Sequence, residues 1–405
     1  MNGSKKQYII IGASAAGLSA TVTLRSLDAH CSIICISDEA FWPYNKCLLP
    51  DYVSGDRALE SIFTRPQRFF EESNIQLMLN TRVAEINPHE QRILLSNGSW
   101  LAYDSLVIAT GARPRKLSDS SDAIEGIFNG YYLNNVESML HYLHKNNVKQ
   151  ACVVGTGFTG LEYADALNTL GVRVTLIEKE SYVLPHLINE SMSHILQERI
   201  ERHTISIVCN RVVESINQRD NELSGVILND GTHIEAQVII HAIGSIPNVE
   251  LMKNAGGEVT KNGIVTNECM QTSIANIYAA GDCAQVKDLI TGASVRSFKW
   301  SDAALQGSCA AYAIAGSPKK YDGVACVLKS AFFGFDIFIA GKNPRTAHEH
   351  LIGSFQNDFG VFDLRDDLID YALIIGHRDL VPEIRKTYRQ RLSFTSYRNR
   401  NVQHS

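Results

Sequence analysis

Gly12-Ala13-Ser14-Ala15-Ala16-Gly17 and Gly155-Thr156-Gly157-Phe158-Thr159-Gly160 are the stretches whose residue types and spacing are best suited to chemistry. Small residues at the first, third and sixth positions let the main chain turn tightly and bring N–H groups and a helix N-terminus against an anion. The second stretch is a complete G-x-G-x-x-G. The first carries Ser14 where the second glycine usually stands, and serine is small enough to allow the same approach. An acid near the end of the next strand would accept hydrogen bonds from a ribose. Asp38 follows Ser32 to Ile36, and Glu178 ends Val172 to Ile177. Two dinucleotide sites in one chain imply a cofactor that stays and one that visits. Glu178 repels a 2′-phosphate, so NAD(H) is expected over NADP(H), with neighbouring Lys179 softening that preference.

These turns need strands beneath them. Tyr8 to Ile11 is a continuous apolar run of the kind a parallel strand buried on both faces requires, and Gly17 to Leu27 reads as its helix. Ala151 to Val154 and Leu161 to Leu170 repeat the pattern, with Gly171 as C-cap. Further strands are expected at Ser105 to Thr110, Val238 to Ile243 and Asn276 to Gly281, with a helix from Ser301 to Ala315. Ser118 to Tyr131 reads as a crossing between domains. Beyond Gly316-Ser317-Pro318 the pattern changes to strands at Phe333 to Gly341 and Leu368 to Gly376, then a helix from Val381, a small α+β unit. The fold class is therefore α/β, with two Rossmann-like domains of the glutathione reductase type and a small α+β C-terminal domain. The expected boundaries are 1–116 and 245–318 for two parts of one dinucleotide domain, 117–244 for the other, and 319–405 for the C-terminal domain.

A chain of 405 residues suggests two or three domains. Its net charge of −5, with Arg385–Arg400 as the one basic concentration, argues against a nucleic-acid partner. No run of about 18 apolar residues suggests a membrane span, and no secretory leader is read at Met1–Lys6, so a cytoplasmic protein is expected. The nine cysteines include no C-x-x-C pair, which fits reduced thiols, mostly inert and in apolar strands. His348-Glu349-His350 gives no metal-ligand spacing on a helix, and no metal site is expected.

The ordered motifs resemble those of the FAD-dependent pyridine nucleotide-disulfide oxidoreductases over nearly the whole chain. They are Gly12–Gly17, Asp38-Glu39 with Pro43-Tyr44, Ala109-Thr110-Gly111, Gly155–Gly160 with Glu162, Ala242-Ile243-Gly244, and Ala280-Gly281-Asp282. The resemblance implies a flavoprotein enzyme in which a hydride passes from NADH to FAD. It assigns Gly12, Ser14, Ala15, Ala16, Gly17, Asp38, Glu39, Lys46, Cys47, Val83, Ala109, Thr110, Gly111, Asp282 and Trp300 to the FAD site. Gly155, Gly157, Phe158, Thr159, Gly160, Glu178 and Gly244 fall to the nicotinamide nucleotide, and Glu162 and Cys47 to catalysis. The branch is left open. Cys47 in C-x-L-P-x-Y is similar to the single redox cysteine of NADH oxidases and coenzyme A-disulfide reductases, where a thiolate can form a sulfenate or mixed disulfide. Asp38-Glu39 followed by Pro43-Tyr44-x-Lys46 resembles the NADH:rubredoxin and ferredoxin reductases, which pass electrons to a small redox protein. The implied acceptors are thus a rubredoxin- or ferredoxin-like protein, a small thiol or disulfide, or oxygen. The family fold also implies a homodimer through residues beyond about Ser317, whereas a monomer suits the ferredoxin-reductase branch. The alternative is a nucleotide-sensing flavoprotein of the apoptosis-inducing-factor type with little turnover.

Overall fold

Buried, β-branched runs dictate two parallel sheets. The computed structural model describes residues 5–118, 121–219, 222–341, 350–355, 358–376 and 380–395. His348, Glu349, part of the Ser118–Tyr131 crossing, Met1–Ser4 and the end of the basic stretch lie outside the described residues. Among those described, no helix is long and apolar enough to cross a membrane, and no three His, Cys, Asp or Glu side chains cluster as metal ligands.

The chain divides into two compact units. The first takes residues up to Leu48, Ala58–Arg113 and Ser245–Val324. Its central sheet runs Ile277–Ala279, Ser105–Ile108, Gln7–Ile11, Ser32–Ile36, Ile75–Met78, with every pairing parallel. Ile9, Ile10, Leu106, Val107, Ile108 and Ile277 are fully buried in it, as a sheet covered on both faces requires. Helix Ala15–Leu27 packs against helix Trp300–Ile314 almost backbone to backbone. A Cβ on Gly307 would lie 2.0 Å from the Ala16 carbonyl oxygen, so only glycine allows this approach. A second sheet of this unit, Val83–Asn87, Arg92–Leu95 and Trp100–Ala102, is antiparallel.

The second unit takes Leu49–Arg57, Pro114–Gly244 and residues from Ala325 on. Its parallel sheet runs Ile205–Val208, Arg173–Ile177, Gln150–Val154, Val238–His241, Ile127–Phe128. Helix Phe158–Thr169 follows the second glycine turn, and Gly171 (φ 79°) closes its C-terminus. The C-terminal segment forms a five-stranded antiparallel sheet in the order Val327–Phe332, Phe335–Gly341, Leu368–Ile375, Asp358–Arg365, His350–Phe355, followed by helix Val381–Arg389. This segment falls within the second unit.

Candidate dinucleotide sites

The two glycine turns are built alike. Gly12 follows strand Gln7–Ile11 at φ 108° and Gly155 follows Gln150–Val154 at φ 99°, both in the left-handed region where glycine is unstrained. Each lies under the carbonyl of an alanine on the neighbouring strand's end. A Cβ would come 2.1 Å from Ala109 O at Gly12 and 2.5 Å from Ala242 O at Gly155. The sixth positions are as tight: a Cβ at Gly17 would sit 1.7 Å from Gly12 O, and at Gly160 2.0 Å from Gly155 O. Four of these residues are therefore glycine because the protein packs against itself there.

Gly157 is glycine for another reason. Its backbone (φ −69°, ψ 175°) suits any residue, and a Cβ would meet nothing within 4 Å. It is exposed at the N-cap of helix Phe158–Thr169, whose first turn carries no acid and thus keeps its full positive end. Neither packing nor conformation demands glycine here, whereas an anion approaching the main chain does. Ser14, at the matching position of the first turn, is extended (φ −84°, ψ −161°), half-buried, and makes no capping bond with its side chain. Its helix also lacks an acid in the first turn. Both cradles fit a pyrophosphate. Ala15 and Ala16 are buried under the first, while Phe158 is half-buried and Thr159 exposed at the second.

The acids differ between the two sites. Glu178 immediately follows strand Arg173–Ile177 and is only 6 % exposed. Its Oε2 accepts from the Thr156 amide at 3.0 Å and the Thr156 hydroxyl at 2.6 Å, and its Oε1 accepts from the Glu180 amide at 3.0 Å. Three donors fix this carboxylate beneath the turn and leave it little remaining acceptor capacity. Thr156, fully buried, is the partner of this acid, a contact that the motif spacing missed. In the first unit Ile36 pairs with Ile11 as Ile177 pairs with Val154, so the residue in register with Glu178 is Ser37, not Asp38. Asp38 stands exposed one residue on. Glu39 accepts from Tyr44 Oη at 2.5 Å and from Lys46 Nζ at 2.9 Å, a half-buried cluster that ties Lys46 to the acid pair.

Asp282 follows strand Ile277–Ala279 and Gly281. Burial pushes its carboxyl up to about 6 against the opposing pull of Arg296 and Lys46. A carboxyl so desolvated suits hydroxyl donors from a ligand better than bulk water. Thr110 Oγ1 donates to the Asn248 carbonyl at 2.9 Å and Asn248 Nδ2 returns a bond to the Thr110 carbonyl at 2.8 Å, clasping Ala109-Thr110-Gly111. Gly111 and Gly244 both have positive φ, at 62° and 95°. Trp300 is half-buried at the start of its helix. Val83 is 6 % exposed and its side chain belongs to the core, so only its main chain is available to a ligand.

Cys47 is exposed in the 3-10 turn Lys46–Leu48, its amide donating to Asn45 Oδ1 at 3.0 Å. It stands apart from Cys35 and Cys152, whose thiols burial pushes up to about 12 and which are inert. Glu162 lies in the first turns of helix Phe158–Thr169 and accepts from Ser330 Oγ at 2.5 Å. Burial pushes its carboxyl up to about 7, the Ser330 bond opposes that rise, and Asp51 adds to it.

This geometry agrees with what the chain is similar to. Residues 6–307 match the model of the family described as pyridine nucleotide-disulphide oxidoreductase. An NADH oxidase of Methanocaldococcus jannaschii is 34% identical over 321 residues, covering 77% of this chain and 71% of that protein. A rubredoxin-NAD(+) reductase of Pseudomonas putida is 32% identical over 312 residues, 76% and 80% of the two chains. Among solved structures, the reductase chain matched in a covalent putidaredoxin reductase–putidaredoxin complex superposes with a TM-score of 0.90 at 27% identity, covering 96% of this chain and 94% of that one. The expected α/β architecture with parallel Rossmann-type sheets is thereby borne out. The chain belongs to the pyridine nucleotide-disulphide oxidoreductase family, and it is an NAD(P)H-dependent oxidoreductase that employs FAD.

Proposed function

We propose that this chain reduces a small electron-transfer protein of the rubredoxin or ferredoxin kind at the expense of NADH. The reading rests on one observation above others: two alike glycine cradles, each at a helix N-terminus free of acid, the second with a Gly157 that faces open space. Ser14 and the amides of residues 12–17 would hold the FAD pyrophosphate, with Asp282 accepting from cofactor hydroxyls and Lys46 supplying positive charge. FAD, when bound, supplies the hydride acceptance and single-electron delivery that amino-acid side chains lack. The open cradle at Gly157 would take the nicotinamide dinucleotide, and the charge of Glu178 favours NADH there. Glu162 would serve the nicotinamide end of that site. The similarity to a rubredoxin-NAD(+) reductase and to a putidaredoxin reductase supports the choice of acceptor.

A second reading, a thiol or disulfide acceptor, is favoured by the exposure of Cys47. Anaerobic titration with NADH separates the two. The first reading predicts one electron pair taken up per flavin, in the parent and in Cys47→Ser alike. Two pairs in the parent, falling to one in Cys47→Ser, would put the sulfur in the electron path and establish the second reading instead.

A further inference from the structure

We propose that Ser330 is a positioning residue for Glu162: its hydroxyl, carried by the C-terminal sheet, locks the carboxylate in one orientation and supports its ionised form. This rests on the reading that Glu162 serves the nicotinamide site. Ser330 lies beyond the segment matched by the family model, which ends at residue 307. It stands 168 positions along the chain from its partner.

Both partners sit in regular hydrogen-bonded elements. Strand Val327–Phe332 is hydrogen-bonded to Phe335–Gly341 throughout, and Ser330 is 8 % exposed within it. A second bond fixes the same contact one helical turn on, where the Phe333 amide donates to Asp165 Oδ2 at 2.9 Å. Two carboxylates at i and i+3 of helix Phe158–Thr169 are thus met by two donors three residues apart. Phe332 is buried and lies 6.1 Å, ring to ring, from Phe158 in the glycine turn. The contact couples the C-terminal sheet to the element that forms the second cradle.

The surrounding charges do not supply what Ser330 supplies. Helix Leu49–Ser54 packs on helix Phe158–Thr169 and brings Asp51, which disfavours a charged Glu162 and is itself paired with Arg57 at 3.1 Å. Tyr52 of that helix donates to Glu137 at 2.5 Å. On the strand, Lys329 pairs with Asp336 at 3.8 Å. On the helix itself, Tyr163 donates to the Gly130 carbonyl at 2.5 Å, and Asp165 is held by Phe333 and feels His203. Among these described groups, the Ser330 hydroxyl is the one donor to the Glu162 carboxylate.

The test reads the proton on Glu162 directly. The infrared band of its protonated carboxyl, identified by its loss in Glu162→Gln, is followed against pH in the purified FAD-loaded protein. In the parent the band should fade as pH rises through about 7. In Ser330→Ala the midpoint should move to higher pH by about one unit, because a donor to the charged form is gone. Ser330→Thr, which keeps the hydroxyl, should restore the parental midpoint. A midpoint unmoved in Ser330→Ala overturns the proposal. The pH dependence of NADH-driven flavin reduction checks the underlying reading independently. If Glu162→Gln leaves that dependence intact, Glu162 has no role in the reaction, whatever the infrared midpoint shows.

Discussion

Gly157→Val should raise the KM for NADH by about two orders of magnitude while the protein stays folded and yellow. A shift of that size corresponds to about 3 kcal/mol of lost binding, the cost expected when a branched side chain keeps a pyrophosphate off its amides. The expectation is unusual for a glycine in a tight turn. At Gly160 a Cβ would collide with Gly155 O at 2.0 Å, so Gly160→Ala should damage the fold itself. At Gly157 the backbone is permissive and an added Cβ has no protein atom within 4 Å, so the branched side chain starts into open space. Thermal melting and FAD content should therefore match the parent in Gly157→Val, with NADH saturation alone displaced. Unchanged saturation would mean that the second cradle holds no nucleotide.

Glu178→Ala should be costly in a different way. The substitution strands the Thr156 amide, the Thr156 hydroxyl and the Glu180 amide around a buried site. Losing a shared acceptor of this kind costs about 3 kcal/mol, or a drop of about 6–12 °C in the melting of a unit this size. NADH binding should weaken at the same time, because the turn loses its brace. A simple exchange of preference toward NADPH, with stability intact, would show instead that Glu178 acts only on the ribose. Thr156→Val tests the brace from the other side. It removes one of the three donors and should raise KM more than it lowers kcat.

Much of this was legible in the sequence because the physics is local. A parallel strand buried on both faces must be apolar without alternation, and Tyr8–Ile11 and Ala151–Val154 are. A turn that packs under a neighbouring carbonyl must be glycine, and Gly12 and Gly155 are. What escaped was set by register or by distance along the chain. Whether Ser37 or Asp38 occupies the position equivalent to Glu178 depends on which residue ends a strand, and no composition rule fixes that. The Glu39–Lys46–Tyr44 cluster gives Lys46, which the resemblance assigns to the FAD site, a carboxylate partner that no motif announced. The burial of the Val83 side chain depends on its pairing with Leu95, which no local pattern announces. The Ser330–Glu162 bond joins elements from distant parts of the chain, and a serine on a strand carries no signal of what it will face.

The most direct test of the central claim is to purify the protein, measure its FAD, and add NADH without oxygen. Two working cradles predict about one FAD per chain and loss of the oxidised flavin colour within the mixing time. A colourless protein that takes up no added FAD, or a flavin left oxidised by NADH and NADPH alike, would contradict the account.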